Sequence, residues 1–468
     1  MPNDHFSNGK KIAFTVVMFL YINLALTIFW ILKPLKKSLF IGLYDGDQTF
    51  KLGSMEMLGS SAELLAKGMN LLIAFMLVVF LTLVTRLAKR QRLTYCCMGL
   101  IIAMTFYFSL HLINEPSEST VWLFYWFGDL YISLMLAAFF SFLHDTVDLR
   151  NAKRLYGFIV LGAVSGGAVG STYFRGWIGE MNNQQWLHTI IGIGVVICLL
   201  AFAAGWMAKS IPHHEPKPSP NDAPKKKFNA AIEGASLVFK SRYLIAIAGI
   251  VGFYEITSEV LDYQFTAMTE RFVPKEDIGS HFGTVYAIGN IAALVVQLCF
   301  SIFAASFPKY RIHWILLALP LAVALSSLFF IIAPILLAAS LLKISDSTFA
   351  YSVNQTGRET LYNPLSRQEK YVARAFVEVF IQRTGKVAAL LIAFLVPMFL
   401  NTRNEAGQLE TNLLGLQLLG GFTCIIVAIW FYCVKIVGRK FESLEREQQQ
   451  ATATTLGQAQ EQPSAGTA

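Results

Sequence analysis

The stretch Ile12–Leu32 reads IAFTVVMFLYINLALTIFWIL, twenty-one residues with no Asp, Glu, Lys, Arg or His. A bilayer core about 30 Å thick takes roughly 20 such residues in a helix, so this segment predicts a membrane span. Outward from it the pattern repeats over 64–86, 93–113, 121–143, 155–178, 187–208, 243–268, 281–305, 313–333, 335–357, 376–400 and 412–436. Twelve spans fall six and six around a basic loop over 209–241, whose centre, His213 to Lys227, is rich in Pro and Lys. The chain of 468 residues is 55% hydrophobic and only 15% charged, against about 25% charged in an average soluble chain. A soluble domain of this composition would expose large apolar patches.

Fold class follows as all-α integral membrane, twelve helices in two six-helix bundles. The predicted organisation is an N-terminal bundle over 1–208, a cytoplasmic basic linker over 209–241, a C-terminal bundle over 242–446 and a disordered Gln/Ala/Thr tail over 447–468. The net charge of +8 needs no nucleic acid to explain it, because cytoplasmic loops of membrane proteins gather Lys and Arg. With the N-terminus inside, Arg86, Lys89, Arg90 and Arg92 share that side with Arg150, Lys153, Arg154, Lys225 to Lys227, Lys309, Arg311, Arg367, Lys370 and Arg374. Asp45, Asp47, Glu115, Glu118, Glu405 and Glu410 fall on the other side. Both termini are therefore expected in the cytoplasm. The expected location is a bacterial inner membrane, crossed many times. The first span is too long for an ordinary signal-peptide core and has no A-x-A site after it.

The fifth span is lined with Gly157, Gly162, Gly166, Gly167 and Gly170, which lets helix backbones approach in a membrane. The ninth, without an ionisable residue from Ile315 to Ile332, reads as a lipid-facing support. The six cysteines lack metal-ligand spacing and read as small buried residues.

Charges inside the spans carry the function, because a charge at mid-bilayer costs about 3 kcal/mol or more and so faces a partner or a wet cavity. Lys33, Lys36 and Lys37 follow the first span, around Pro34, at spacings that share a helical side. Snorkelling to the interface is the competing reading. Asp129 lies among aromatics in the fourth span, and a first-helix lysine is its natural partner. Glu255, Glu259 and Asp262 form an acidic stripe in the seventh. The tenth carries Lys343, Asp346, Asn354 and Arg358, in which Lys343 and Asp346 would neutralise each other. The eleventh carries Glu378, Gln382, Arg383 and Lys386, in which Glu378 would offset Arg383. Cations from helices one, ten and eleven and carboxylates from four and seven suit a central cavity for an anionic small molecule, with phosphate or carboxylate groups held by Lys and Arg. Tyr125, Trp126 and Tyr131 are candidates to stack on a planar ring, though aromatics in spans more often serve packing.

These segments resemble the nucleotide transporter family of plastids and intracellular bacteria, the ATP/ADP exchange carriers related to the major facilitator superfamily. The resemblance runs over about 15–436. It is carried by Tyr351-Ser-Val-Asn-Gln-Thr-Gly-Arg358-Glu359-Thr-Leu-Tyr362-Asn-Pro364-Leu365, by Glu378 followed by Arg383-Thr-Gly385-Lys386, by Phe253-Tyr254 with Asp262, by Tyr125-Trp-Phe-Gly-Asp129, and by Lys33-Pro-Leu-Lys36. It implies a major-facilitator-like fold and substrate-binding roles for Lys36, Asp129, Asp262 and Arg358. Lys33, Lys37, Glu259, Asn354, Arg383 and Lys386 are secondary cavity candidates. The family's glutamates stand here as Asp129 and Asp262, one family lysine as Arg358, and two first-helix aspartates as Pro34 and Lys37.

The function expected is a secondary transporter exchanging or importing nucleotides such as ATP and ADP, or a related phosphorylated anion, by alternating access, with no cofactor and no metal. A permease for another organic solute, coupled to protons through Asp129 or Asp262, is one alternative. A membrane scaffold with purely structural ion pairs is another. An enzyme is not expected, since the chain has neither a G-x-x-x-x-G-K-[ST] loop nor H-E-x-x-H.

Overall fold

A computed structural model describes residues 8–44, 48–53, 55–70, 73, 91–113, 116–144, 149–208, 235–306, 312–362, 364–365, 373–374, 376–400, 402–403 and 407–460. The architecture is helical. The first half comprises α1 (Asn8–Leu43), α2 (described over 59–70), α3 (Gln91–His111), α4 (Glu118–His144), α5 (Leu149–Trp177) and α6 (Asn183–Ala208). The second comprises α7 (Arg242–Phe272), α8 (Ile278–Ser306), α9 (Ile312–Ile332), α10, α11 and α12 (Leu413–Gln460). Two of these helices change winding. α10 is α-helical over Leu336–Phe349, π-wound over Ala350–Asn354 and α-helical again over Gln355–Leu361. α11 opens with a π turn over Val377–Ile381 and continues as α-helix over Gln382–Leu400. Among the described residues, eight helices are long and apolar enough to cross a membrane.

Helix ends follow local chemistry. Ser241 starts α7 by accepting a hydrogen bond from the Leu244 amide, the usual role of a serine N-cap. Pro274 follows its last residues and prevents continuation. Pro34 does not end α1, which runs on to Leu43 and carries Lys33, Lys36 and Lys37 inside the helix. α12 likewise continues to Gln460. The tail expected to be disordered from 447 is thus helical over 447–460, where Gln and Ala favour helix. Most of the span at 64–86 and of the linker lies outside the described residues, as do Arg86, Lys89, Arg90, Lys225 to Lys227, Lys309, Arg311, Arg367 and Lys370. Asp45, Asp47, Glu115 and Glu405 lie outside them too.

Two apolar cores correspond to the two halves. One joins α1, α3, α4, α5 and α6, with Phe265, Phe282 and Tyr286 reaching in from the second half. The other joins α7, α9, α10, α11 and α12, with Leu64 reaching in from α2. The halves meet along α5 and α8, where Asn290 donates to Ser171 at 3.2 Å. α9 turns Trp314, Leu325 and Ile332 outward, as its uniformly apolar sequence leads one to expect.

Three glycines of α5 are required sterically. A Cβ on Gly162 would lie 2.9 Å from the Phe19 carbonyl oxygen. Those on Gly166 and Gly170 would overlap the carbonyls of Asn23 and Thr27. Asn23 and Thr27 then bond α5 directly, Asn23 through Ser165 at 2.9 Å and Thr27 through the Gly166 carbonyl at 3.3 Å.

Two antiparallel hairpins cap one end of the bundle, β1 (Phe50–Leu52) with β2 (Met55–Met57), and β3 (Thr402–Arg403) with β4 (Leu409–Glu410). Gly53, at φ +65°, turns the first, a conformation side chains rarely adopt. Arg403 joins the hairpins through Glu56 at 2.8 Å, and Arg271 joins β4 through Glu410 at 2.7 Å. The hydrogen bond from Arg403, then the charges of Arg403 and Lys51, hold the Glu56 carboxyl below its ordinary pKa.

Two outcomes follow. Gly166→Val should lower the melting temperature in detergent, because forcing volume into a closed contact costs about 1–3 kcal/mol, whereas Gly192→Ala, with open space around it, should leave it unchanged. Because the folded pKa of Glu56 is depressed, the hairpin contact is intact above about pH 4.3 and weakens as pH falls through the lowered value. Hydrogen exchange at β1 and β2 should therefore be flat from pH 7 to 5 after correction for intrinsic rates and rise at lower pH. A rise already between pH 7 and 6 would contradict this.

Candidate functional site

Ionisable side chains inside the helices gather between the halves in two layers. Nearer the hairpins, α1 and α2 face α7 and α10. Asp262 of α7 receives three lysines, Lys67 at 2.5 Å, Lys343 at 2.8 Å and Lys37 at 3.0 Å. Lys37 and Lys67 come from the first half and Lys343 from the second, so one carboxylate ties the halves together. Glu63 stands 3.5 Å from Lys37 and 3.8 Å from Lys67 and accepts from the Tyr125 hydroxyl at 2.9 Å. Glu259 takes Lys67 at 3.5 Å. Asp346 takes Lys343 at 3.6 Å and Ser258 at 2.9 Å.

Beside this node, Lys36 pairs with Asp129 at 2.5 Å and lies 4.2 Å above the Tyr125 ring. The Asp129 side chain is 36% exposed against 6% for Lys36, so the carboxylate forms the open edge of the pair. Asn70 donates to its other oxygen at 2.6 Å. Gly128 makes room for Lys36, since a Cβ there would sit 2.6 Å from the lysine Cδ.

Deeper from the hairpins lies a layer with fewer carboxylates. Lys33 rests 4.6 Å over Trp30 and 5.1 Å over Tyr286, with no carboxylate in ion-pair range among the described residues. Arg358 lies 5.8 Å over Tyr254 and likewise forms no ion pair among the described residues. Glu255 is buried, accepting from Gln382 at 2.8 Å with Lys386 at 3.7 Å. Arg383 is exposed, and Asn354 is buried with its Oδ1 lacking a donor among the described residues.

Several sequence expectations meet a different geometry. Glu378 pairs with Arg374, one turn before it, at 2.9 Å, and not with Arg383 among the described residues. Arg374 also takes Glu359 at 2.6 Å. Lys343 and Asp346 do not simply neutralise each other, since Asp262 lies closer to the lysine. The stripe of α7 is not a freely solvated face: Glu255 and Asp262 are buried. Lys36 and Lys37, 5% and 3% exposed, point inward and do not snorkel. Within α10 the π turn Ala350–Asn354 lies between Lys343 and Asp346 on one side and Arg358 on the other.

Four primary candidates therefore divide. Lys36, Asp129 and Asp262 belong to the hairpin-side layer, already charge-paired, and Arg358 to the layer below. Sequence reading passed over Glu63, Lys67 and Asn70 of α2, although their spacing of four and three in an apolar segment carried the same signal as the lysines of α1. Trp30 and Tyr286 carried no charge to mark them.

Among the described residues, the hydrogen bonds and ion pairs between the halves lie between Asn290–Ser171 and the hairpins. The described state is thus tied at the hairpin end. Two bundles facing each other across a polar interface, tied at one end, define the general architecture of a membrane carrier. A family model for the Major Facilitator Superfamily matches residues 72–356, and the chain belongs to that superfamily. Its curated relatives include ADP,ATP carrier protein 1, chloroplastic, from Arabidopsis thaliana, 24% identical over 365 residues, covering 70% of this chain and 55% of that protein. ADP,ATP carrier protein 1 from Chlamydia trachomatis serovar D is 24% identical over 307 residues, covering 58% of this chain and 57% of that one. The chain thus spans a little over half the length of these relatives. Among solved structures, a point variant of the nucleoside transporter NupG superposes with a TM-score of 0.56 at 11% identity, covering 90% of this chain and 98% of that one. A bacterial homolog of the human lysosomal transporter Spinster, inward-facing and unoccupied, gives 0.54 at 12%, covering 94% and 99%. Both show the fold.

Removing one partner of a buried ion pair costs about 3–5 kcal/mol. Asp262→Asn should therefore destabilise the protein more than Lys67→Met does alone, and the double variant should recover part of the loss. Strict additivity in detergent unfolding would mean that the two groups do not interact.

Proposed function

We propose that this chain is a secondary carrier of nucleotides such as ATP and ADP, or of a related phosphorylated anion, working by alternating access and exchange. The observation that carries this reading is the pair of layers. On the hairpin side Lys36, Lys37, Lys67 and Lys343 each have a carboxylate, whereas Lys33 and Arg358 below lie over aromatic rings with no ion-pair partner among the described residues. Cations without carboxylates at membrane depth are what an anionic substrate requires. The names of the curated relatives, ADP,ATP carrier proteins, point to the same substrate class.

Exchange follows from the electrostatics. Lys37 and Lys67 belong to the first half, and much of their compensation, Asp262 and Glu259, belongs to the second. Opening the hairpin end separates them. The first half would then expose Lys33, Lys36, Lys37 and Lys67 against Glu63 and Asp129 alone, a net positive surface at low dielectric. A bound polyanion restores the balance, so the loaded carrier reorients more readily than the empty one.

In proteoliposomes, labelled ATP or ADP should enter vesicles loaded with unlabelled nucleotide much faster than empty ones. Absence of any nucleotide uptake or exchange by folded, inserted protein would defeat the reading. Uptake into empty vesicles driven by a pH gradient alone would favour proton coupling through Asp129 or Asp262. Lys67→Gln removes one charge exposed on opening and should lower the ratio of loaded to empty uptake severalfold, through faster movement of the empty carrier.

A further inference from the structure

We infer that Trp30, Lys33 and Tyr351 form the subsite that reads the planar ring of the substrate and the phosphate next to it, with the Lys33 ammonium holding the ring's place when the site is empty. This rests on the proposed nucleotide reading and adds to it the residues that distinguish a nucleotide from a bare polyphosphate.

The geometry is specific. Trp30 and Lys33 are one turn apart on α1, and the ammonium sits 4.6 Å over the indole. Tyr286 of α8 and Tyr351 of α10 bring their rings against Trp30 from the other half, at 5.7 Å each and inclined at 68° and 89°. The indole edge is fixed against α5, where a Cβ on Gly167 would lie 3.0 Å from Trp30 Nε1. Both tyrosine rings stand steeply inclined to the indole, and the ammonium lies over it. Trp30 is 4% exposed and Tyr351 is 41% exposed, so the box opens on the Tyr351 side. The Tyr286 hydroxyl is buried and has no hydrogen-bond partner among the described residues.

A cation over an aromatic face is stabilised without being neutralised. Lys33 is therefore held in place yet free to bind an anion, unlike Lys36, Lys37, Lys67 and Lys343, each of which already has a carboxylate. An arriving phosphate draws the ammonium off the indole, and the uncovered face takes the ring that the phosphate carries. Stacking of a base on an aromatic side chain is sequence-tolerant and worth roughly tenfold or more in affinity. Such a subsite accepts any nucleobase and discriminates against ligands without a ring. Trp30 lies in the first half and Tyr351 in the second, so a ring between them bridges both.

The test measures binding of ATP and of inorganic triphosphate to the purified full chain in detergent, by calorimetry. Wild type should bind ATP about tenfold or more tightly than triphosphate. Trp30→Leu should abolish that preference while changing triphosphate affinity less than about threefold, which also reports that the variant is folded, and Trp30→Phe should keep most of the preference. Lys33→Gln should weaken both ligands by about tenfold, with Lys33→Arg restoring them. An unchanged ATP-to-triphosphate ratio in Trp30→Leu, or unchanged affinities in Lys33→Gln, would overturn the subsite while leaving the nucleotide reading intact. Binding of neither ligand by wild type would overturn both.

Discussion

One carboxylate holds the described state together. Asp262 gathers Lys37 and Lys67 from one half and Lys343 from the other. Ions buried in a membrane protein are tolerated only where partners replace water, and here the partners sit on bodies that must separate for the hairpin end to open. The same contact thus stabilises the charges and ties the two halves. Its neighbours follow from it: Glu63 supports the first-half lysines, Asp346 supports Lys343, and Ser60 and Glu270 join above them at 3.0 Å.

The small residues of α5 make this possible at a distance. Because α5 approaches α1 until backbone meets backbone, α1 is held closely enough for Lys36 and Lys37 to be buried side by side with different partners. Lys36 turns to Asp129 within its own half, and Lys37 crosses to Asp262. Aromatic rings then hold what ion pairs do not. Lys33 lies over Trp30 and Tyr286, and Arg358 over Tyr254. Charges near the hairpins are thus paired, and the cations below them lie over aromatic rings.

Two π turns shape that lower region. Ala350–Asn354 lies between Asp346 and Arg358, and Val377–Ile381 carries Glu378, which pairs with Arg374 one turn before it. π turns inside α-helices recur at functional sites. Periodicity in the sequence does not mark them, and the partner of Glu378 among the described residues is Arg374, where Arg383 was expected.

The sequence by itself determined the membrane setting, the helical class and the charges that lie inside spans, because transfer of side chains into lipid depends on residue type and run length alone. It also supplied the pairing of a first-helix lysine with Asp129, through the cost of leaving a lone carboxylate in an apolar span. Only the tertiary structure decided that Asp262 serves three lysines, that Glu63 and Lys67 complete its node, and that Trp30, a residue no different in sequence from any packing aromatic, stands under the Lys33 ammonium. Those facts depend on distances between helices remote in the chain, and no local periodicity encodes them.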